Sequence, residues 1–206
     1  MSKLQELINR YCPPKGVEFR QLGEITEIKR GVRVVKNELK KEGTIPVYQN
    51  SLVPLGYFSK SNVKASTTFV IAAGAAGDIG FSNRPYWGAD DCYSIICGKD
   101  VIDKFIYYIL DNNRHFIKSN VRKASIPRLS RTVLEKMLIP VPPLEVQEEI
   151  VRILDKFSDY AAELQARKEQ YEYYRNLLLT FNPSACGCGT DDEQKDSITS
   201  WGGEGL

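Results

Sequence analysis

Asp90 and Asp91 are adjacent carboxylates, the pair in this sequence with the clearest potential for acid–base or metal chemistry. Such a site needs further ligands or a nucleophile within reach, and the sequence offers no second acidic cluster beside them. The five cysteines lack the paired spacing of zinc ligands, and the single histidine, His115, has no cysteine near it. We therefore predict no catalytic residue and no metal site, a structural role for the two aspartates, and ordinary reduced thiols.

Two further stretches are similar to cofactor-binding motifs, but each lacks residues that the motif requires. The glycines of GAAGDIG at 74–80 lack the spacing of a dinucleotide fingerprint, and no Lys-Ser or Lys-Thr follows them. We interpret them as tight turns after a buried strand at 67–73. The segment SNRPYW at 82–87 is similar to the Asn-Pro-Pro-Tyr motif of amino-methyltransferases, but Arg84 occupies the first proline position and no cofactor-binding glycine loop precedes it. Arg84 and Tyr86 are either DNA contacts or loop residues packed beside the core.

The charge of the chain is unevenly distributed. Residues 1–143 hold 22 Lys or Arg against 13 Asp or Glu, a net charge of +9. Residues 144–181 hold 5 against 8, and residues 182–206 hold 1 against 5. A basic N-terminal part joined to acidic segments favours a polyanionic partner that only the N-terminal part meets, with a solvated basic face as the alternative.

Basic residues form two clusters, one at 29–41 and one at 114–136, and the second holds seven cations against the single carboxylate of Glu135. Such density suits phosphate contacts, which position a protein on DNA without reading its sequence. Gln49 and Asn50 stand at a predicted loop, where their amides either bond adenine in the major groove or serve an ordinary turn. The candidate DNA-contacting residues are Lys29, Arg30, Arg33, Gln49, Asn50, Arg84, Tyr86, Arg122, Lys123, Arg128 and Arg131.

A long segment without glycine, residues 142–181, has proline only at its entry. Its apolar residues alternate in gaps of three and four, the pattern of a packed helix pair, and basic residues replace apolar ones in one row of the seam. A helix folded back on its own domain is the alternative to a spacer helix that pairs with a second helix. The predicted pairing residues are Ile150, Leu154, Phe157, Ala161, Leu164, Lys168, Tyr171, Arg175 and Leu178.

The remaining patterns predict an α+β fold, in which a mixed-sheet domain precedes a long coiled-coil helix. We predict a DNA-binding domain at 1–141, a spacer and dimerisation helix at 142–182, and a flexible acidic tail at 183–206. The first residues do not have the pattern of a signal peptide, and no run has the apolar length of a membrane span. We therefore expect a cytoplasmic protein.

The order KASIPRLSRTVLEKMLIPVPPLEVQEEIVRILDKF, followed by ARKEQYEYYRNLLLTF, resembles the specificity (HsdS) subunits of type I restriction–modification systems. It is similar to the end of their target-recognition domain and the conserved helix that follows. GVEFRQLGEITEIKRG and IPVYQNS are similar to the start of such a domain. The resemblance extends over about residues 1–182.

The resemblance implies a non-catalytic reader of double-stranded DNA. Such subunits grip DNA in the major groove and dock modification subunits, which bind S-adenosylmethionine and methylate adenine. A restriction subunit adds ATP-driven and Mg-dependent translocation and cleavage. The chain itself is then expected to carry no cofactor.

One departure from the family is that this sequence holds one recognition domain and one helix, where a usual specificity subunit holds two of each. The chain is therefore expected to be a half-length subunit, a truncated product or a fragment of a longer chain. Two copies that dimerise through antiparallel helices would restore the two-headed form and recognise a split palindrome. The alternative class is a protein–protein adapter that does not bind DNA and uses the helix only for oligomerisation.

Overall fold

A computed structural model of the chain describes residues 3–11, 16–35 and 39–180. Helices and strands alternate irregularly along the chain, so the predicted α+β class is confirmed. The elements are α1 (Lys3–Tyr11), β1 (Phe19–Gln21), α2 (Leu22–Ile25), β2 (Thr26–Arg30), β3 (Ile45–Tyr48), β4 (Gly56–Phe58), β5 (Thr67–Ile71), β6 (Ile79–Ser82), β7 (Trp87–Gly88), β8 (Cys92–Cys97), α3 (Asp103–Asn112), α4 (Arg114–Ser119), α5 (Arg131–Glu135), β9 (Leu138–Pro140) and α6 (Leu144–Leu179).

The central sheet has the strand order β2-β8-β5-β6, and every neighbouring pair is antiparallel. β-branched and apolar residues dominate β5 and β8, which favours strands in the middle of a sheet. The register places Ile28 opposite Ile95 and Val70 opposite Tyr93. Gly80 lies opposite Phe69, and a Cβ at Gly80 would stand 2.4 Å from the Phe69 ring.

One face of this sheet carries the main core. Ile28, Val70 and Ile95 pack there against helix residues that include Phe105 and Ile106 of α3, and all five side chains are buried. Burying side chains of this size stabilises the fold by about 1.5–3 kcal/mol each. The main core therefore fixes α3 against the sheet.

The opposite face carries a smaller aromatic cluster, in which Phe69, Ile71, Tyr86 and Cys92 are buried. Tyr48 of β3 stacks on Phe69 with ring centroids 4.5 Å apart. This contact attaches a second sheet, of order β4-β3-β7, in which β3 and β7 are parallel. A third pair joins β1 to β9, so the two ends of the domain lie side by side.

Several local predictions agree with the structure. The strand predicted after Ser66 is present as β5 (Thr67–Ile71). The glycines after β5 form tight turns, because Gly74 and Gly77 have φ values of 82° and 85°, which favour glycine. α6 has 36 residues and, at a rise of 1.5 Å per residue, is about 54 Å long. Phe181 and the predicted tail lie outside the described residues.

The described residues divide into two units, one ending at Asp159 and the other beginning at Tyr160. The first unit includes the start of α6, where Val146, Gln147 and Glu149 are buried. Within residues 160–179 of the second unit every helix side chain is exposed. The domain boundaries predicted from the sequence remain predictions.

Glu149 is a buried carboxylate that accepts hydrogen bonds from Arg152 and pairs with Lys3 of α1 at 3.3 Å. The hydrogen bond with Arg152 is the main cause that lowers the pKa of Glu149 to about 2. A lowered pKa means that the folded chain favours the carboxylate. Its stabilising effect is therefore complete above the ordinary pKa of 4.5 and is lost as the pH falls towards 2.

We expect Glu149→Gln to reduce the loss of stability that the chain shows as the pH falls below 5. The urea midpoint of the unchanged chain should fall more than that of the variant between pH 5 and about pH 2.5, because only the unchanged chain loses this carboxylate. Glu163→Gln is the matched control, since Glu163 pairs with Arg167 while its side chain is 56% exposed. Parallel curves for Glu149→Gln and the unchanged chain would contradict this assignment.

Candidate nucleic-acid interface

One edge of the central sheet gathers most of the predicted DNA-contacting residues. β2 ends at this edge with Arg30, which pairs with Tyr93 near the start of β8. β5 ends there with Ile71, which pairs with Cys92. Because the strands are antiparallel, the loops at 31–35, 72–78 and 89–91 all leave from the same edge.

The first basic cluster is anchored to this edge through Asp90. Arg30 Nε donates to the Asp90 carbonyl oxygen at 2.8 Å, and Gln49 Nε2 donates to Asp90 Oδ1 at 3.4 Å. The amide of Ala72 donates to the Asp91 carbonyl oxygen at 2.7 Å. These contacts give the two aspartates the structural role predicted for them.

Gly31 allows the following loop to lie against residues 87–91. A Cβ at Gly31 would stand 2.1 Å from the Ala89 carbonyl oxygen, closer than any side chain tolerates. Val32 is held on both sides, since its amide donates to the Gly88 carbonyl and its carbonyl accepts from Trp87 Nε1 at 2.8 Å. Gly31 therefore fixes the direction in which the exposed Arg33 leaves the edge.

The loop after β3 reaches the same edge through backbone contacts. The carbonyl oxygen of Asn50 accepts a hydrogen bond from the Ala75 amide at 2.9 Å. Gly74 fits beneath it, because a Cβ there would stand 2.9 Å from Asn50. The side chain of Asn50 is exposed.

Residues 122–128 form a short hairpin, which we call the basic hairpin. Arg122 and Arg128 are directly opposite and exchange backbone hydrogen bonds of 2.9 and 3.2 Å. The Gly74 amide donates to the Pro127 carbonyl, and the amide of the buried Leu129 donates to the Ala72 carbonyl. These bonds connect the basic hairpin to the turn that also contacts Asn50.

The cations of the basic hairpin are uncompensated. Across the described ranges no carboxylate lies within ion-pair distance of Arg122, Lys123 or Arg128, and all three are exposed. Like charges directly opposite each other destabilise an antiparallel pair. A phosphate that bridges the two guanidinium groups would remove this repulsion and gain charge-assisted hydrogen bonds.

We call this end of the sheet, with the loops that leave it, the basic edge. The structure brings eight of the eleven predicted residues to it. One of them, Lys29, forms an ion pair with Glu27, with Nζ 3.1 Å from Oε2. The members of the basic edge are Lys29, Arg30, Arg33, Gln49, Asn50, Arg122, Lys123 and Arg128.

The other three predicted residues lie elsewhere. Arg84 follows Ser82, which pairs with Thr67 at the opposite end of β5. Tyr86 is fully buried, donates its hydroxyl to Ser94, and has a pKa raised mainly by burial, so it belongs to the core and offers no surface to DNA. Arg131 is exposed, but its Nε donates to Glu135 at 2.7 Å and its charge is compensated.

Sequence reasoning missed a groove beside the basic edge. It has a volume of about 570 Å³ and is lined by Lys29, Arg30, Asn62, Lys64 and Ser66. Ser66 has a φ of 56°, a conformation uncommon outside glycine. A single lysine in a polar loop gives no signal in a sequence, so only the fold shows that Lys64 lies near Lys29.

The pairing residues predicted for α6 fall into two groups. Ile150 packs against the main core and Leu154 is half-buried, so the seam begins as a contact with the chain's own domain. From Phe157 onward the seam is open: Phe157, Leu164, Tyr171 and Leu178 are between 55% and 69% exposed. The remaining positions, Ala161, Lys168 and Arg175, are also exposed.

The described part of the chain was compared with the requirements of metal and thiol chemistry. No group of three or more His, Cys, Asp or Glu side chains there is arranged to hold a metal ion. Burial raises the pKa of the Cys92 and Cys97 thiols, which makes them unreactive. None of the described helices has the length and apolar character needed to cross a membrane.

A mixed α+β domain with a basic sheet edge, followed by a long exposed helix, defines a class of nucleic-acid recognition protein. Residues 14–171 match the family model "Type I restriction modification DNA specificity domain", and the chain belongs to this family. Membership in this family confirms the predicted class, a non-catalytic specificity subunit.

Individual relatives give the same result. The chain is 28% identical over 177 residues to a putative type I specificity subunit of Mycoplasma pneumoniae, covering 80% of this chain and 74% of that protein. It is 30% identical over 184 residues to a putative type I restriction enzyme specificity subunit of Haemophilus influenzae, covering 81% of this chain and 47% of the relative.

Solved structures share the fold. The S subunit of a type I restriction–modification system from M. genitalium superposes with a TM-score of 0.66 at 20% identity, over 78% of this chain and 46% of that one. The HsdS subunit from Thermoanaerobacter tengcongensis gives 0.59 at 18% identity, over 80% and 44%. The chain therefore spans about half the length of these two structures and of the Haemophilus relative.

Proposed function

We propose that the chain recognises one half of a bipartite DNA site as the specificity subunit of a type I restriction–modification system. The observation that carries the proposal is the convergence of eight predicted DNA-contacting residues on one sheet edge, although they come from three separate parts of the sequence. A surface of this kind meets the phosphate backbone with its cations and the base edges with its amides.

The two kinds of contact are assigned to different residues. Arg122, Lys123 and Arg128 bind phosphates, because they are exposed and uncompensated. Asn50 reads a base, because its side chain is exposed while its backbone is fixed by Ala75. Gln49 is half-buried and already bonded to Asp90, and it therefore supports the loop rather than reading DNA.

The second part of the proposal is a homodimer formed by α6. The seam from Phe157 to Leu178 leaves four large apolar side chains exposed, which favours a partner helix over solvent. If two copies pair antiparallel about the middle of this seam, Leu164 of each copy lies opposite Tyr171 of the other. Arg175 then lies near the acidic Asp159 and Glu163 of the second copy.

The third part concerns the other subunits. Ala162, Ala166, Tyr173 and Leu177 recur at helical spacing on the side of α6 opposite the seam, and all four are exposed. We assign this second stripe to a modification subunit, which would bring S-adenosylmethionine, while a restriction subunit would bring ATP and Mg²⁺. The chain would then work in the cytoplasm, on host and incoming DNA.

A map of methylated adenines in cells with and without the gene tests this function. Loss of a split palindromic motif on deletion is the expected result, since two identical heads read two identical half-sites. Loss of an asymmetric motif would support DNA recognition and contradict the homodimer. An unchanged map, in cells whose modification subunit is active, would contradict the proposed function.

A further inference from the structure

The basic hairpin carries a large aliphatic side chain near its tip, Ile126, which is 54% exposed. All residues from 122 to 128 are exposed, and Ile126 belongs to neither core cluster of the described chain. The hairpin begins and ends on the main core, because Val121 packs against that core and Leu129 is buried within it. Ile126 is therefore held on a fixed base without taking part in the packing of either core.

The conformation of Ile126 is restricted by its own chemistry and by its neighbours. A residue that precedes proline is confined to an extended backbone, and the branched Cβ of isoleucine restricts χ1. Pro127 is fixed to the scaffold, since its carbonyl oxygen accepts a hydrogen bond from the Gly74 amide at 3.2 Å. Ala124 and Ser125 are small, so Ile126 and Pro127 form the apolar part of the tip. A side chain with few conformations loses little entropy when a partner immobilises it.

The charges around Ile126 favour a polyanion as the partner of this apolar tip. Arg122, Lys123 and Arg128 lie within four residues of it, and none has a carboxylate within ion-pair distance in the part of the chain that the structure describes. An apolar pocket on another protein would have to supply acidic groups for all three cations. Duplex DNA presents phosphates on both sides of an apolar base stack, and it therefore meets the cations and the isoleucine at once.

The length of the basic hairpin is comparable to the depth of a DNA groove. Ile126 is two residues from Arg128, and an extended chain of two residues spans about 7 Å. The grooves of B-DNA are about 7.5–8.5 Å deep. With the length of its side chain added, Ile126 can reach the base pairs while Arg122 and Arg128 remain at the phosphates.

We propose that Ile126 is an apolar wedge that inserts between two neighbouring base pairs and kinks the bound DNA, an inference that rests on the proposed function. Isoleucine and proline are among the residues that partly unstack a base step in this way, with kinks of about 20–90°. Unstacking costs free energy, which the phosphate contacts of the three cations offset. Pyrimidine–purine steps unstack most easily, so the wedge selects such a step without a hydrogen bond to either base.

The fluorescence of 2-aminopurine tests this role, because this base fluoresces more strongly when it is unstacked. The probe is a duplex of about 25 base pairs that carries one half-site selected by the unchanged chain from random DNA. 2-Aminopurine replaces each adenine of the half-site in turn, on both strands. We expect the unchanged chain to raise the fluorescence several-fold at one TA or CA step.

Ile126→Ala at saturating concentration should leave the fluorescence close to that of the free duplex. Its affinity should fall by about threefold to tenfold, because apolar contact with the base pairs is lost. The slope of log affinity against log salt should stay the same, since the substitution removes no charge. This unchanged slope distinguishes the wedge from the phosphate contacts of the same hairpin.

Two further variants serve as controls. Ile126→Leu keeps an aliphatic side chain of the same size and should retain most of the fluorescence increase. Leu138→Ala removes the same number of carbon atoms from a side chain that is 63% exposed on β9. β9 pairs with β1, which leads through α2 to the start of β2, whereas the basic edge lies at the end of β2. Leu138→Ala should therefore change neither the fluorescence nor the affinity.

The outcomes separate the wedge from the proposed function. If the unchanged chain binds its half-site and raises the fluorescence at no adenine, the wedge is overturned and DNA recognition stands. An increase that Ile126→Ala retains would also overturn it. A loss of affinity in Ile126→Ala without any fluorescence increase in the unchanged chain would indicate contact with a thymine methyl group instead. If the unchanged chain selects no motif from random DNA, the proposed function itself fails.

Discussion

Replacing Arg122 and Arg128 together by alanine should weaken DNA binding by about 10- to 100-fold at moderate salt, for every DNA sequence tested. The two guanidinium groups are opposite each other across the basic hairpin and have no acidic partner in the described part of the chain. Each phosphate contact contributes about 0.9 to the slope of log affinity against log salt, so the slope should decrease by about 1.8. Fluorescence anisotropy over a salt series measures both quantities.

The matched control removes two positive charges that are already compensated. Arg114 pairs with Asp111, and Lys118 pairs with Asp78 at 2.8 Å. Arg114→Ala with Lys118→Ala therefore changes the net charge equally and should alter the slope much less. An unchanged slope in the Arg122 and Arg128 variant would contradict the phosphate role, and a loss confined to one sequence would indicate base contacts. Binding that does not depend on salt would favour the adapter alternative.

Replacing Leu164 and Tyr171 together by glutamate should raise the dissociation constant of the dimer by at least about a thousandfold. In the proposed antiparallel pair the two residues are opposite each other, so each copy loses apolar contacts and places a carboxylate against a second carboxylate. Both side chains are exposed in the single chain, at 55% and 65%, so the fold of the monomer should be unaffected. Sedimentation equilibrium gives the dissociation constant.

Tyr173 and Leu177 provide a control of the same residue types on the opposite side of α6. Replacing this pair by glutamate should leave the chain dimeric, because these two side chains lie on the side of α6 away from the seam. If the chain without substitutions sediments as a monomer at micromolar concentration, the homodimer is refuted.

Much of the fold could be predicted because it depends on local patterns. The apolar run of β5, the glycine turns after it and the heptad spacing of α6 each specify an element without reference to the rest of the chain. Ile150 shows where this reasoning ends. It fits the seam by spacing, yet it packs on the chain's own core, and only the contact with that core distinguishes it from Phe157.

The candidate site was predictable in composition and less so in geometry. Seven cations against a single carboxylate at 114–136 predict an exposed basic segment, which was enough to find the basic hairpin. Whether a cation is free depends on the fold: Arg128 is uncompensated, whereas Arg131, three residues later, contacts Glu135. Tyr86 was unpredictable for a similar reason, since its burial depends on Phe69 and Tyr48 from distant strands.

The loops of the basic edge are attached to the sheet mainly through backbone atoms. The bonds from Ala75 to Asn50, from Gly74 to Pro127 and from Leu129 to Ala72 all join main-chain groups. A backbone bond forms with almost any residue at that position, so the exposed side chains of Asn50 and Lys123 carry little of the fold's stability. Under the proposed function, a change at Asn50 alters the base that is read while the scaffold persists, so new target sequences become accessible to the protein without an intermediate that fails to fold.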